Sequence, residues 1–399
     1  MSRQTKWAAQ RVDKMYFSPV RKVMERAAQL KAASHPIISL SIGEPDFNSP
    51  SVIVEKTIEA LQNNQTHYAS NRGTIGLRTE ISKYLNCHFN LDYDPESEIL
   101  VTAGGAEAIN NAFMAFVDPG DEVIVFEPAY MNYDNLITAA GGKMVNVPLR
   151  AEDAFQINSA LFEEKITSHT KMVVVNNPCN PTGIVYTRET LEKLAEVCIR
   201  HDLLVFSDEI YNGILYDDVD FCPVASIRGM RERTITMNGF SKAFAMTGWR
   251  MGYLAAPPGV ITDILKIHQY SVTCISTFSQ IGAEKGMNAP ETMVEMRKMV
   301  EAFERRRNII LGYLDQMKGI RYIRPEGAFY IFVDVSGTGL DGDTFAHRLL
   351  EEKYVSCVPG SKLGKNYSKY IRISYATSDN LIQEAMVRLG EFVKGLTDV

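Results

Sequence analysis

Residues 238–253, N-G-F-S-K-A-F-A-M-T-G-W-R-M-G-Y, lie between two apolar, strand-like runs at residues 234–237 and 252–256. Lys242 is therefore expected in a loop between buried segments, with Arg250 eight residues further along. Because an ammonium group loses its hydration near a protein core, such a lysine is costly unless it is paired or used. Lysines that are used form Schiff bases, and desolvation lowers their pKa from about 10.4. The stretch predicts that Lys242 holds an aldehyde cofactor and that Arg250 holds the anionic tail of that cofactor.

A repeating strand–loop–helix pattern leads up to this stretch. The strand-like apolar runs are residues 99–101, 122–126, 143–147, 172–175, 203–206 and 234–237, and helical patterns occupy residues 106–116 and 188–201. This alternation predicts an α/β domain whose mostly parallel sheet is covered on both faces. Ligands of such sheets bind beyond the C-terminal ends of the strands. The segments at those ends are polar or rich in Gly and Pro: T-A-G-G, E-P-A-Y, N-N-P-C-N-P-T-G, S-D-E-I-Y and N-G-F-S-K.

The pattern changes near residue 290. A long charged helix is expected at residues 291–317, strands at 327–335, 354–358 and 370–375, and a final amphipathic helix after them. Before the repeating part, a helix is expected within residues 14–34, with Ser18 as its N-cap and Pro19 as its first residue. A short strand (36–40), a helix (51–61) and an irregular loop (66–77) follow. We predict an N-terminal arm with part of a small domain at residues 1–45, a large cofactor-binding domain at 46–288 and a C-terminal small α+β domain at 289–399.

Composition excludes several classes of function. The 42 basic and 48 acidic residues give a net charge of −6, which argues against a nucleic-acid partner. No apolar run reaches the roughly 18 residues of a membrane span, and the N-terminus lacks the apolar core of a secretory signal. The six cysteines are scattered without a C-x-x-C pair, which predicts reduced thiols, a cytoplasmic protein and no metal site.

Two strand-end segments are candidates for contacts with a flat, anionic cofactor. In T-A-G-G-A-E-A, Gly104 and Gly105 precede a helix whose free N–H groups favour a phosphate, although a tight turn with nothing bound is an alternative. In E-P-A-Y, Tyr130 could stack on a cofactor ring or be an ordinary buried aromatic residue.

Three polar residues follow the next strands along the chain. Asn180 lies in a rigid loop with two Asn-Pro steps and can donate its amide to an oxyanion or phenolate. Asp208 ends an apolar run, where it could keep a pyridinium nitrogen protonated or could cap a helix. Tyr211, three residues on, could reach a ring hydroxyl group.

Arg372 lies in the strand-like segment K-Y-I-R-I-S-Y, on the face opposite Ile371 and Ile373. That face is either a solvated surface or a cleft wall on which a guanidinium binds a substrate carboxylate. The segment G-T-G-L-D-G at residues 337–342 fits a dinucleotide fingerprint. It lacks both a repeating βαβ context and an acidic residue about 20 positions later, so a nucleotide-dependent dehydrogenase is disfavoured.

Together these segments resemble the class I and II pyridoxal-phosphate-dependent aminotransferases of fold type I, most of all the aspartate and aromatic aminotransferase-like subgroup. The matching words are S-I-G-E-P-D-F, N-P-C-N-P-T-G, D-E-I-Y, S-K-A-F-A-M-T-G-W-R and Y-I-R-I-S-Y-A, which span nearly the whole chain. The resemblance implies pyridoxal 5'-phosphate as cofactor and an α/β large domain with a smaller α+β domain. It also implies a homodimer with shared active sites.

The resemblance also implies roles for individual residues. Lys242 would carry the internal aldimine and move the proton, Asp208 would hold the pyridinium N–H, and Tyr211 would contact the 3-oxygen of the ring together with Asn180. Phosphate binding falls to Gly104, Gly105, Ser241 and Arg250, and in the neighbouring subunit to Tyr68. Tyr130 would stack on the ring. Substrate binding falls to Arg372 and the Gly43 backbone, which take the α-carboxylate, and to Tyr130 and Asn180.

The hypothesis is a ping-pong transamination between an L-amino acid and a 2-oxo acid such as 2-oxoglutarate. Aspartate-like donors are expected first and aromatic donors next, although Ala106 stands where some aspartate-specific relatives carry a lysine. One alternative is a lyase or decarboxylase on the same fold. A ligand-sensing regulator would need a DNA-binding module, and residues 1–40 show no helix-turn-helix pattern.

Overall fold

The structure, a computed structural model, describes residues 7–398. Its α-helices lie on both sides of a central sheet and around a smaller one. They are α1 (Gln10–Lys14), α2 (Pro19–Ala32), α3 (Ser51–Gln62), α4 (Ile75–Phe89), α5 (Gly105–Phe116), α6 (Asn132–Ala140), α7 (Ser159–Glu163), α8 (Arg188–Arg200), α9 (Pro258–Ser271), α10 (Thr277–Gly286), α11 (Pro290–Leu314), α12 (Gly342–Lys353) and α13 (Asp379–Thr397).

The β-strands form three sheets. In chain order they are β1 (Ile38–Ser39), β2 (Ile99–Thr102), β3 (Glu122–Glu127), β4 (Lys143–Pro148), β5 (Thr170–Asn176), β6 (Leu204–Asp208), β7 (Thr234–Gly239), β8 (Gly252–Ala255), β9 (Arg321–Tyr322), β10 (Tyr330–Asp334), β11 (Val355–Ser356), β12 (Val358–Pro359) and β13 (Tyr370–Ser374).

The large sheet has seven strands in the order β2-β8-β7-β6-β5-β3-β4, and only β8 runs antiparallel to its neighbours. The mostly parallel α/β sheet predicted from the sequence is therefore confirmed. Its strands are apolar at successive positions because both faces are covered. On β3, Val123 and Val125 join one hydrophobic cluster, while Ile124 and Phe126 join another on the opposite face. Six C-terminal strand ends consequently meet along one edge of this sheet.

A second, four-stranded antiparallel sheet has the order β12-β13-β10-β9. Helices α11, α12 and α13 contribute buried residues to the same core cluster as one face of the large sheet. The predicted smaller α+β part is thus present, and the domain boundaries at residues 45/46 and 288/289 stay a prediction.

Several predicted boundaries were wrong, each for a local reason. The loop expected at residues 66–77 ends at Thr74, whose side chain accepts the Leu77 N–H and caps α4. The single strand expected at 354–358 is two strands in two sheets: β11 pairs with β1 and β12 with β13. The strand expected from residue 327 begins at Tyr330, because Ala328 has a φ of 57° that a strand does not allow.

The helix expected within residues 14–34 is α2, and a short helix, α1, precedes it. α1 and α2 are separate, and α2 does begin at Pro19 as predicted, but Ser18 forms no side-chain cap. Its hydroxyl instead lies 3.0 Å from Met131 Sδ. In G-T-G-L-D-G two glycines pack against the chain itself, since a side chain on Gly337 would clash with the Gly319 backbone and one on Gly342 with the Tyr370 carbonyl group.

Candidate active site

Lys242 follows β7 at the C-terminal edge of the large sheet, in the loop that the sequence predicted. Its Nζ donates a 2.5 Å hydrogen bond to the Gly43 carbonyl oxygen. Burial lowers the pKa of Lys242 to about 8. The positive charges of Arg372 and Arg250 also lower this pKa, whereas the negative charge of Glu44 raises it. At neutral pH a fraction of this side chain is therefore an unprotonated, nucleophilic amine.

Asp208 is the last residue of β6 and is only 3% exposed. The hydroxyl group of Tyr133 donates a 2.5 Å hydrogen bond to Oδ2, and the Ile210 N–H donates to Oδ1 at 3.2 Å. Burial raises the pKa of Asp208 to about 6, against these hydrogen bonds and the charge of Lys242. Within the described part of the chain no α-helix follows until α9, so the alternative of a helix cap was wrong.

Arg372 is buried on β13, which rules out the solvated face left open by the sequence pattern. Its Nη1 donates to Asn180 Oδ1 at 3.0 Å and its Nη2 to the Ser41 carbonyl oxygen at 2.9 Å. Nε has no hydrogen-bond partner among the described residues. Since a guanidinium carries five donors, Arg372 keeps capacity to bind an anion.

Tyr211 lies next to this arginine and is also buried. Its hydroxyl oxygen is 3.0 Å from that of Tyr330, a residue of β10. The guanidinium carbon of Arg372 lies 4.5 Å from the centroid of the Tyr330 ring. Burial raises the pKa of Tyr211 well above its usual value, so this phenol keeps its proton as a hydrogen-bond donor.

The turn before α5 forms the candidate phosphate cradle. Gly104 has a φ of +79°, and a side chain there would approach Arg250 Nη2 at 2.8 Å, so only glycine fits. Gly105 begins α5, and the first helical N–H with a backbone acceptor is that of Ala108. The Ala103 N–H donates to Glu107 Oε2 at 2.6 Å, so the cradle does not include this donor.

Of the remaining predicted residues, Ser241 and Tyr130 lie near Lys242 and Asp208, whereas Tyr68 lies apart from them. Ser241 is 8% exposed and precedes Lys242. Tyr130 accepts a 2.7 Å hydrogen bond from Asn132, and burial raises its pKa, together with the charge of Asp208. Tyr68 is not part of this cluster, because its side chain is 88% exposed on a separate loop.

The sequence did not single out Tyr133 and Tyr330. Tyr133 contacts Asp208 from 75 positions away along the chain, and on α6 it resembles any core aromatic residue. Tyr330 belongs to the apolar segment G-A-F-Y-I-F, which is typical of a buried strand. The only available signal was its hydroxyl group, which a buried tyrosine must satisfy.

The charges in this cluster are unbalanced. Among residues 7–398, none of the ion pairs includes Lys242, Arg250 or Arg372. Three cations thus share one site with the buried Asp208 and with Glu44, whose negative charge acts on Lys242 without forming an ion pair. Such an arrangement is complementary to a ligand that carries anionic groups and one protonated nitrogen.

Residues 7–398 form neither a metal site nor a membrane-spanning helix. No group of three or more His, Cys, Asp or Glu side chains is arranged to hold a metal ion. No helix in the same region is both long and apolar enough to pass through a membrane.

Comparison with known proteins places the chain among named relatives. The family model described as Aminotransferase class I and II matches residues 35–389. The aspartate aminotransferase of Pyrococcus abyssi (strain GE5 / Orsay) is 41% identical over 384 residues, which cover 96% of this chain and 97% of that protein. The aromatic-amino-acid aminotransferase 2 of Thermococcus litoralis is 39% identical over 377 residues, covering 94% and 96%.

The chain is also similar to a solved structure of an aminotransferase. The aspartate aminotransferase from Thermus thermophilus with maleate matches with a TM-score of 0.92 at 36% identity, covering 97% of this chain and 100% of that chain. The resemblance predicted from the sequence, including fold type I, is thereby confirmed.

Proposed function

Because the chain belongs to the family of class I and II aminotransferases and is itself an aminotransferase, we propose that it uses pyridoxal 5'-phosphate to transfer the amino group of an L-amino acid to a 2-oxo acid such as 2-oxoglutarate. The observation that carries the proposal is the meeting of Lys242, Arg250 and Arg372, none of which forms an ion pair among the described residues, around the buried Asp208.

The residues fit this cofactor at each of its functional groups. Because Gly104 has no side chain, the space beside Arg250 stays open. That space suits a phosphate held by Gly105, Ser241 and the free N–H groups of α5. The buried Asp208 suits a ring N–H, because the proton shared there offsets the cost of its burial. Tyr130 offers an aromatic face nearby.

When bound, pyridoxal 5'-phosphate supplies an aldehyde that exchanges amino groups and a ring that withdraws electrons from the substrate Cα. Lys242 would hold the cofactor through its amine and would carry the α-proton at Nζ, for which a pKa of about 8 suits it. Asp208 holds the proton on the pyridine nitrogen. Tyr211 and the amide Nδ2 of Asn180 would donate to the 3-oxygen, since Asn180 Oδ1 accepts from Arg372.

The substrate is bound through its α-carboxylate by Arg372 and by the backbone of Gly43, next to Tyr130 and Asn180. The Nε of Arg372, which has no hydrogen-bond partner among the described residues, supports this role. Aspartate-like amino acids are the first candidate donors and aromatic amino acids the second, because the names of similar proteins divide between these two classes.

We further infer a homodimer that works in the cytoplasm. Tyr68 and Tyr270 are each 88% exposed, which favours an interface over open solvent. Their segments are joined by hydrogen bonds from Asn71 to the Thr273 carbonyl (2.8 Å) and from Thr277 to the His67 carbonyl (2.6 Å). All six cysteines are free thiols, in keeping with a reducing compartment. Light scattering should give twice the chain mass of 44.7 kDa.

A panel of amino donors tests the proposal. The purified protein, loaded with pyridoxal 5'-phosphate, is supplied with aspartate, glutamate, phenylalanine, tyrosine or alanine, with and without 2-oxoglutarate. Formation of glutamate only when both a donor other than glutamate and 2-oxoglutarate are present supports transamination. Sustained turnover of a donor without any 2-oxo acid would instead identify a lyase or decarboxylase.

A further inference from the structure

Tyr330 lies at the centre of the candidate site, although neither the sequence motifs nor the proposed chemistry assign it a task. It is 1% exposed on β10. In the antiparallel pairing of β10 with β13, Phe332 is opposite Arg372. Because side chains alternate along a strand, Tyr330 shares the face of Phe332 and is the diagonal neighbour of Arg372. The register therefore places the phenol under the guanidinium.

The ring and the hydroxyl group of Tyr330 make different contacts. The ring lies below Arg372, with the guanidinium carbon 4.5 Å from its centroid. The hydroxyl oxygen is 3.0 Å from that of Tyr211. It also lies directly against the α-carbon of Gly43, where a side chain would clash with it, and the Gly43 carbonyl accepts the hydrogen bond from Lys242. One side chain thus touches three of the groups to which the proposed reaction assigns a role.

We propose that Tyr330 is a positioning residue whose ring orients Arg372 toward the substrate carboxylate and whose hydroxyl group donates to Tyr211. This inference rests on the proposed function. A buried phenol needs a partner for its O–H group, and the neighbouring Tyr211 oxygen is that partner. The direction of donation follows from the chemistry, because Tyr211 must keep its own proton for the 3-oxygen of the cofactor. A phenol that accepts a hydrogen bond is in turn a stronger donor.

The ring of Tyr330 packs against the guanidinium of Arg372. Arg372 has no carboxylate partner among the ion pairs of the described residues, and its Nη atoms are fixed by Asn180 and the Ser41 carbonyl. The aromatic face of Tyr330 stabilises the cation from below without neutralising it. The guanidinium therefore stays charged and fixed in orientation, as binding of a carboxylate requires.

Two variants separate the two contacts. Tyr330→Phe keeps the ring and removes the hydroxyl group, and Tyr330→Leu removes both. The first readout is the pH midpoint of the visible absorbance of the protein loaded with pyridoxal 5'-phosphate, which reports the hydrogen bonds to the 3-oxygen. In Tyr330→Phe this midpoint should rise by about 0.5–1 pH unit, because Tyr211 becomes a weaker donor. The KM for amino donors should stay within about twofold, since the ring remains.

In Tyr330→Leu the midpoint should rise similarly, and the KM should rise about three- to thirtyfold by a common factor for all donors, because every donor carries the same α-carboxylate. Tyr375→Phe is the matched control: Tyr375 is equally buried, but its hydroxyl group lies 3.4 Å from the Ala328 carbonyl. It should change neither quantity. If Tyr330→Leu does not fold, the midpoint in Tyr330→Phe still decides.

An unchanged midpoint in Tyr330→Phe, with a normal absorbance band in the wild type, would overturn this inference alone. A wild-type protein that gains no visible band with pyridoxal 5'-phosphate and transfers no amino groups would instead refute the proposed function. The two failures are therefore distinguishable.

Discussion

The hydroxyl group of Tyr133 donates a 2.5 Å hydrogen bond to Oδ2 of Asp208, so a helix residue holds the carboxylate at the end of a central strand. Both side chains are buried, at 1% and 3% exposure. Burial raises the pKa of Asp208, and this hydrogen bond counteracts the rise, because a phenol donor favours the charged carboxylate. Tyr133 therefore helps to keep Asp208 ionised for the cofactor ring.

Tyr133→Phe should consequently weaken the binding of pyridoxal 5'-phosphate about tenfold, since a hydrogen bond to a charged group contributes about 1.5 kcal/mol or more. Equilibrium dialysis of the cofactor measures this. Tyr216→Phe is the control, because the buried Tyr216 hydroxyl donates to the Ala328 carbonyl and not to Asp208. Equal loss of affinity in both variants would show that the Tyr133 effect is general destabilisation.

Asp208→Asn should separate stability from activity. The buried carboxylate costs the folded protein free energy above pH 6, since its pKa is raised to about 6 from 3.8. The cofactor-free variant should therefore melt at a higher temperature than the wild type at pH 8, while kcat falls at least about 10²-fold because the ring nitrogen loses its charged partner. Calorimetry and the donor assay measure the two effects. A variant with normal kcat would contradict the role of Asp208.

Glu209→Gln should stabilise the protein in a pH-dependent way. Glu209 directly follows Asp208, just beyond the end of β6, and Ser207 donates to its Oε1 at 2.8 Å. Burial raises its pKa to about 7 from 4.5. Between these pH values the folded protein binds the extra proton, so the free energy of unfolding falls as the pH rises.

The substitution should therefore raise the free energy of unfolding by about 1–3 kcal/mol at pH 8 and have little effect at pH 4.5. Urea unfolding of the cofactor-free protein at the two pH values measures the difference. Activity should be retained, in contrast to Asp208→Asn. An equal gain at both pH values would mean that Glu209 is not the group that titrates.

Gly104→Ala should damage the phosphate cradle selectively. The φ of +79° disfavours a side chain, and the new methyl group would displace Arg250 from its position 2.8 Å away. Affinity for pyridoxal 5'-phosphate should fall at least about tenfold, whereas affinity for pyridoxal, which has no phosphate, should change little. Gly259→Ala, in open space at the start of α9, is the control. Equal losses for both ligands would place the phosphate elsewhere.

The sequence predicted the residues that lie at strand ends and left open those that depend on contacts across the sheet. Lys242, Asp208 and Gly104 could be found because a polar or glycine residue directly after an apolar strand must lie at the edge of a parallel sheet. Arg372 remained ambiguous because alternation assigns a face but not what covers it. Its burial depends on Asn180 and Tyr330, which come from distant parts of the chain.

Other features could not be derived because local patterns do not specify tertiary partners. Residues 354–358 resemble one strand, yet the chain changes sheets at Cys357, where β1 and β13 supply the two pairing edges. Tyr68 can be placed at the phosphate only by resemblance, since it is exposed on its own chain.

The central claim is that Lys242 carries the cofactor, and borohydride reduction of the loaded protein followed by peptide mass mapping tests it most directly. The account predicts one reduced pyridoxal-phosphate group per chain, on the peptide that contains Lys242, and none on that peptide in Lys242→Ala. Loss of the amino-transfer activity should accompany the substitution. Attachment to a different lysine, with full activity in Lys242→Ala, would contradict the account.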